Sequence, residues 1–104
     1  MGKDKKQFIY VLRLVSHLIY ENNWTESENE IVNKHFIKLQ ELFKDGKLIL
    51  AGRTLDMDEK RFGIVILEVE SDEEAYEIMQ NDPAVSEGIM TAELFPYRVA
   101  LIKR

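Results

Sequence analysis

Two histidines, no cysteine and 19 carboxylates bound the chemistry that this 104-residue chain can do with its own side chains. Without a thiol there is no thiolate nucleophile, no disulfide and no zinc–thiolate site. His17 and His35 share no helical register, and no spaced carboxylate cluster accompanies them, so neither a dedicated metal site nor a cofactor is expected. The five glycines form no phosphate-cradling loop and no nucleophile elbow. What remains is acid–base chemistry on an imidazole.

His35 is the informative histidine. At about 100° per helical residue, Ile31, Val32, Phe36, Leu39, Leu42 and Phe43 form one apolar stripe, and His35 falls inside it. A titratable ring turned toward the interior is either a satisfied core group or a working one. Asp82, just before Pro83, has two readings as well. It is a turn residue capping nearby amides, or the carboxylate that fixes the His35 tautomer and stabilises its protonated form. Together they form the candidate catalytic pair. Arg53 is a candidate clamp for an anionic substrate through its bidentate fork. Tyr10 and Trp24 complete the candidate substrate contacts, Trp24 as a lid or as packing for its loop. Tyr10 and Arg13 point to opposite faces of one strand, so at most one can line a given cavity.

The surrounding elements must bring these residues together. Phe8–Val15 is rich in β-branched and aromatic residues and reads as a strand. After a polar loop over 16–26, Ser27-Glu28-Asn29-Glu30 matches a capping box. It opens a helix to about Lys44, which Gly46 closes. Leu48–Ala51 is a second strand, 52–61 a charged hairpin connection, and Phe62–Val69 a third strand. Ser71 opens a second helix, ended by Asn81-Asp82-Pro83. Met90–Ile102 is the last extended segment, with Pro96 marking an edge or bulge.

The order β-α-β-β-α-β is that of an α+β, ferredoxin-like plait, a four-stranded antiparallel sheet with both helices on one face. In that topology the first helix begins, and the second ends, at the same rim of the sheet, so His35 and Asp82 converge. The first and third strands are apolar on both faces, yet two helices cover only one. A homodimer through the open sheet face resolves this, giving a dimeric α+β barrel.

Composition narrows the class further. Residues 1–104 read as one domain, with 45% hydrophobic and 32% charged residues. Fourteen basic against 19 acidic residues leave a formal charge of −5, without the basic stripe of a nucleic-acid binder or the attraction to an anionic membrane. No run approaches the ~20 apolar residues of a membrane span. The basic start followed by Phe8–Val15 lacks a small-residue cleavage site, and Arg13 interrupts it. A cytoplasmic protein is expected.

Several short strings, in order, resemble the YCII-related (YciI-like) domain family. They are His35-Phe36 with Leu39 and Leu42, Gly46 through Gly52, Ser71 through Ala75, Asp82-Pro83, and Ala92-Glu93-Leu94 before Pro96-Tyr97. The resemblance implies a dimeric barrel of two plaits and a His–Asp pair in a pocket, at His35 and Asp82. It also implies hydrolytic or dehalogenase-type chemistry on small unsaturated acids in some members, and accessory domains in others. The polar first loop with Trp24, and Gly52-Arg53 where the family often has Gly-Pro, depart from its pattern at the pocket rim. Two readings follow: a small-molecule enzyme using the His–Asp pair on an anionic substrate, and a non-catalytic dimeric ligand-binding or accessory module.

Overall fold

Alternation along the first strand sets the layers. In β1 (Lys6–Leu14), Phe8, Tyr10 and Leu12 are buried while Ile9 and Val11 are only half-buried, because successive side chains take opposite faces. A computed structural model describes residues 4–56 and 58–103; the basic start at Met1–Lys3, read above against a leader, lies outside the described residues. β2 (Leu48–Arg53), β3 (Gly63–Val69) and β4 (Met90–Tyr97) join β1 in an antiparallel sheet of order β2-β3-β1-β4. This is the expected α+β plait. Helices α1 (Glu26–Lys44) and α2 (Asp72–Asn81) cover one face. Leu39, Leu42, Ala75 and Met79 pack there on Phe8, Tyr10, Leu12, Val65, Leu67 and Val69.

The other face carries Ile9, Val11, Ile64, Phe95 and Tyr97, with Leu50 at the β2 edge. Phe95 and Tyr97 are 44% and 43% exposed. The chain by itself therefore leaves an apolar sheet face in water, as the two-sided strands predict. Arg13 also lies on this face and stacks over the Phe62 ring, 5.3 Å from its centroid, a cation–π contact that occupies the charge within an apolar strand.

Local signals were right in kind and shifted in place. The N-cap of helix α1 lies two residues before the expected Ser27. Thr25 is the N-cap: its hydroxyl accepts from Ser27 N–H at 3.3 Å, and Glu28 Oε1 accepts from Thr25 N–H at 2.7 Å. Thr25-Glu26-Ser27-Glu28 meets the same capping rule, and tertiary anchoring chooses it, because the Trp24 indole N–H donates to the Leu18 carbonyl at 2.7 Å. The helix ends in a Schellman motif, with Lys47 N–H on Leu42 O at 2.9 Å and Gly46 N–H on Phe43 O at 3.2 Å. Gly46 has φ 77°, which glycine adopts freely.

Phe36 and Phe43 do not join the core as the stripe predicts; they are 57% and 64% exposed. They occupy the flank of α1 that overhangs β2, the edge of the sheet, where no further strand lies beneath. Segment 16–26 contains two single-turn 3₁₀ helices. After Asp82 comes a short helix that the sequence reading lacks, α3 (Pro83–Ser86). β4 is an edge strand, as Pro96 indicates, but it stops at Tyr97 rather than Ile102. Its last ladder partner, Gln7, lies next to the first residue of β1.

The cap assignment predicts that Thr25→Ala destabilises the chain by about 1 kcal/mol, whereas Ser27→Ala stays within about 0.5 kcal/mol. Equilibrium urea unfolding of the two variants distinguishes them.

Candidate active site

Asp82 is placed by three local rules acting together. A residue before proline is pushed to extended geometry, here φ −61° and ψ 124°. Proline is suited to the first position of a helix, where its missing N–H costs nothing. Aspartate is a preferred N-cap. Asp82 thus ends α2 and caps α3, with Oδ1 accepting from Ala84 N–H at 3.0 Å. Yet the residue is only 1% exposed, and one backbone bond does not satisfy a buried carboxylate.

Two side chains complete its set. His35 Nδ1 lies 2.6 Å from the same Oδ1, and the Tyr10 hydroxyl donates to Oδ2 at 2.7 Å. Facing a carboxylate that can only accept, Nδ1 is the nitrogen that carries the proton. The unprotonated Nε2 of the neutral ring is then free for other work. The sequence-derived convergence of His35 and Asp82 is therefore present as a hydrogen-bonded pair. One oxygen of Asp82 both caps α3 and meets the imidazole.

Tyr10 is placed differently from its expected role as a substrate contact. It is fully buried on the helix-facing side of β1 and meets Asp82 instead of a ligand cavity. Burial, then the Asp82 charge and their hydrogen bond, push its phenol well above the ordinary tyrosine range. It remains a donor across ordinary pH. Nothing in the β1 pattern separates a Tyr that packs from a Tyr that donates into the core, so this role is not legible in the sequence.

A cavity of about 350 Å³ opens beside His35. Trp24, Phe36 and Phe62 supply aromatic surface, and Arg53 and Arg61 stand in the wall. Trp24 and Arg53, the candidate contacts of the sequence reading, thus line this cavity. Arg61 is a cavity residue that it missed. The signal was available in the hairpin, since Arg53 pairs with Gly63 and Thr54 N–H bonds Phe62 O at 2.9 Å. That register brings both arginines to one mouth. Arg53 Nη1 is engaged by Thr54 O at 3.2 Å and its side chain is exposed. His17 is exposed. Chemically, the site joins an oriented imidazole to an apolar, aromatic hollow with two cations at its wall, an arrangement suited to moving a proton on a small anion.

The architecture defines a class, α+β plaits with a His–Asp pair set against a small cavity. The sequence profile of the YCII-related domain matches residues 12–97, and the chain belongs to that family. Among solved structures the fold is similar to 5-chloro-2-hydroxyhydroquinone dehydrochlorinase (TftG) from Burkholderia phenoliruptrix AC1100, in complex with 2,5-dihydroxybenzoquinone. The TM-score is 0.67 with 19% identity, over 88% of this chain and 93% of that one; likeness at this identity shows a common fold. No curated protein sequence matches. Among the described residues, no helix is long and apolar enough to cross a membrane.

Tyr10→Phe leaves Asp82 Oδ2 short of a donor and should cost about 1–3 kcal/mol in urea unfolding at neutral pH. The sign with pH follows from the raised phenol. Above pH ~10 the unfolded chain releases the Tyr10 proton while the folded chain keeps it, so stability falls as pH rises. The variant should lose that part of the alkaline decline; an unaltered slope would remove the buried phenol from the network.

Proposed function

We propose that this protein is a small-molecule enzyme in which His35 acts as general acid–base, oriented by Asp82, on a small anionic, unsaturated substrate held in the adjoining cavity. The observation that carries the reading is the 2.6 Å contact between His35 Nδ1 and Asp82 Oδ1, made by a ring in the cavity wall. Nε2 takes a proton from the substrate or from a water, and Asp82 stabilises the imidazolium that forms. In an elimination, the electrons of the broken O–H or C–H bond move into the substrate's unsaturated system and expel a leaving group such as chloride. The imidazolium then returns its proton to solvent. Hydrolysis uses the same pair with water as the proton source.

Support for the elimination form comes from the fold neighbour, which is named a dehydrochlorinase and holds 2,5-dihydroxybenzoquinone. A planar oxygenated ring suits a hollow bordered by Trp24, Phe36 and Phe62, and Arg53 and Arg61 would meet its negative oxygens. We further propose a homodimer that pairs the two open sheet faces and so buries Phe95, Tyr97 and Leu50. A cytoplasmic site of action fits a chain without cysteine.

Two measurements test the function. Ring ¹⁵N shifts of neutral His35 should report the Nδ1–H tautomer; an Nε2–H ring would overturn the assignment. Halide release from chlorinated dihydroxybenzene and unsaturated-acid substrates should be detectable, and His35→Gln should lower it by about 10²–10⁴-fold while the fold persists. Binding of 2,5-dihydroxybenzoquinone by both proteins, with no turnover of any bound compound, would instead establish the binding-module reading.

A further inference from the structure

Tyr10 is a buried titratable group that the acid–base step leaves idle. It stands on the helix-facing side of β1 between Phe8 and Leu12, and all three are buried. Packing at these positions asks only for hydrocarbon, as Phe8 and Leu12 supply. A phenol hydroxyl placed there must find a partner or lose its hydration without return. Its partner is Asp82: the Tyr10 hydroxyl donates to Oδ2 at 2.7 Å, while His35 Nδ1 meets Oδ1 at 2.6 Å. One carboxylate thus stands between a phenol from the sheet and the imidazole that borders the cavity.

The two bonds to Asp82 share one negative charge. The bond from Nδ1 strengthens when the ring takes a second proton at Nε2, because an imidazolium is the better donor and the carboxylate is its counter-charge. The Tyr10 bond draws that charge toward Oδ2, and the Ala84 amide engages Oδ1 at 3.0 Å. A buried carboxylate with the ring as its only partner would hold the imidazolium tightly, and a base already protonated takes no further proton. The direction of donation is fixed as well. Burial and the neighbouring carboxylate raise the phenol well above the tyrosine range, so its proton stays on Tyr10.

Other charges reach this network less directly. Arg53 and Arg61 stand with His35 in the cavity wall. On α1, Lys38 is half-buried one turn beyond the ring and Lys34 is exposed. His17, Glu77 of α2, Glu87 after α3 and Glu93 of β4 are all exposed. Arg13 of β1 lies on the opposite sheet face, over Phe62, and the β4 residues packed on the core are Met90, Ala92 and Leu94. Among the described residues, Tyr10 and His35 are the side chains that bond Asp82.

We propose that Tyr10 is a positioning residue of the acid–base pair: through Asp82 it limits how tightly His35 holds its second proton, and so keeps the ring able both to take a proton and to give it back. The inference rests on the role proposed for His35 and adds the group that sets its strength.

Ring NMR of the full chain tests this without any substrate, and exposed His17 serves as the internal reference. Tyr10→Phe leaves Asp82 more charge to offer Nδ1. The pH at which His35 titrates should rise by about half a unit or more, and the Nδ1–H resonance should move downfield. A fluorotyrosine at position 10, with fluorine next to the hydroxyl, is a stronger donor of nearly the same shape. It should move both readings the opposite way, which a side chain that only fills the core does not do. Opposite shifts with His17 unmoved support the relay. An unshifted His35 in the fluorinated protein, which keeps every hydrogen bond, overturns it even where Tyr10→Phe fails to fold, and leaves the His35–Asp82 pair standing. A fall in the titration midpoint with Tyr10→Phe overturns it too. Opposite shifts in a protein that turns over no substrate keep the relay and overturn the enzymatic reading.

Discussion

A buried carboxylate must be satisfied on every side, and Asp82 is where this fold meets that demand. Its two oxygens gather the imidazole of α1, the phenol of β1 and the first free amide of α3. Each donor comes from a different element, so the carboxylate joins the sheet to both helical segments at one rim. Left without any of them, the group would be a charge without compensation in a low-dielectric interior. The demand also explains the geometry of His35. The ring is held by one nitrogen, and its other nitrogen is thereby left for the cavity. Structural necessity and chemical readiness come from the same hydrogen bonds.

The cavity lies where α1 passes over a sheet whose outer strand, β2, is short. Leu39 and Leu42 reach the core, while the neighbouring flank bearing Phe36 overhangs the edge. Trp24, Arg53 and Arg61 stand in the wall of the space between helix and hairpin. Members of one fold family can share an architecture and differ in what such a mouth admits, since function resides in the site more than in the fold.

An apolar sheet face and the apolar stretch 99–102 lie on the same molecule. Both leave hydrocarbon in water in the described molecule. The helix-covered face was completed inside the chain because two amphipathic helices were available for it. Among the described residues the open face has no third layer.

Periodicity and local chemistry determined much of this protein from the sequence alone: the β-α-β-β-α-β order, the two-sided strands, the helix end at Gly46 and the extended residue before Pro83. These depend on backbone sterics and on which side chains prefer oil to water, and neighbours in sequence suffice for that. The His35–Asp82 pairing was legible as well, because topology alone sends both residues to one rim. Tertiary structure decided what depends on direction and distance between elements. It chose Thr25 over Ser27 as the cap through the Trp24 anchor, turned Phe36 and Phe43 outward over an edge strand, and gave Tyr10 to the carboxylate. A helical stripe defines an arc of directions, but only the position of the sheet edge determines which part of that arc meets protein and which meets water.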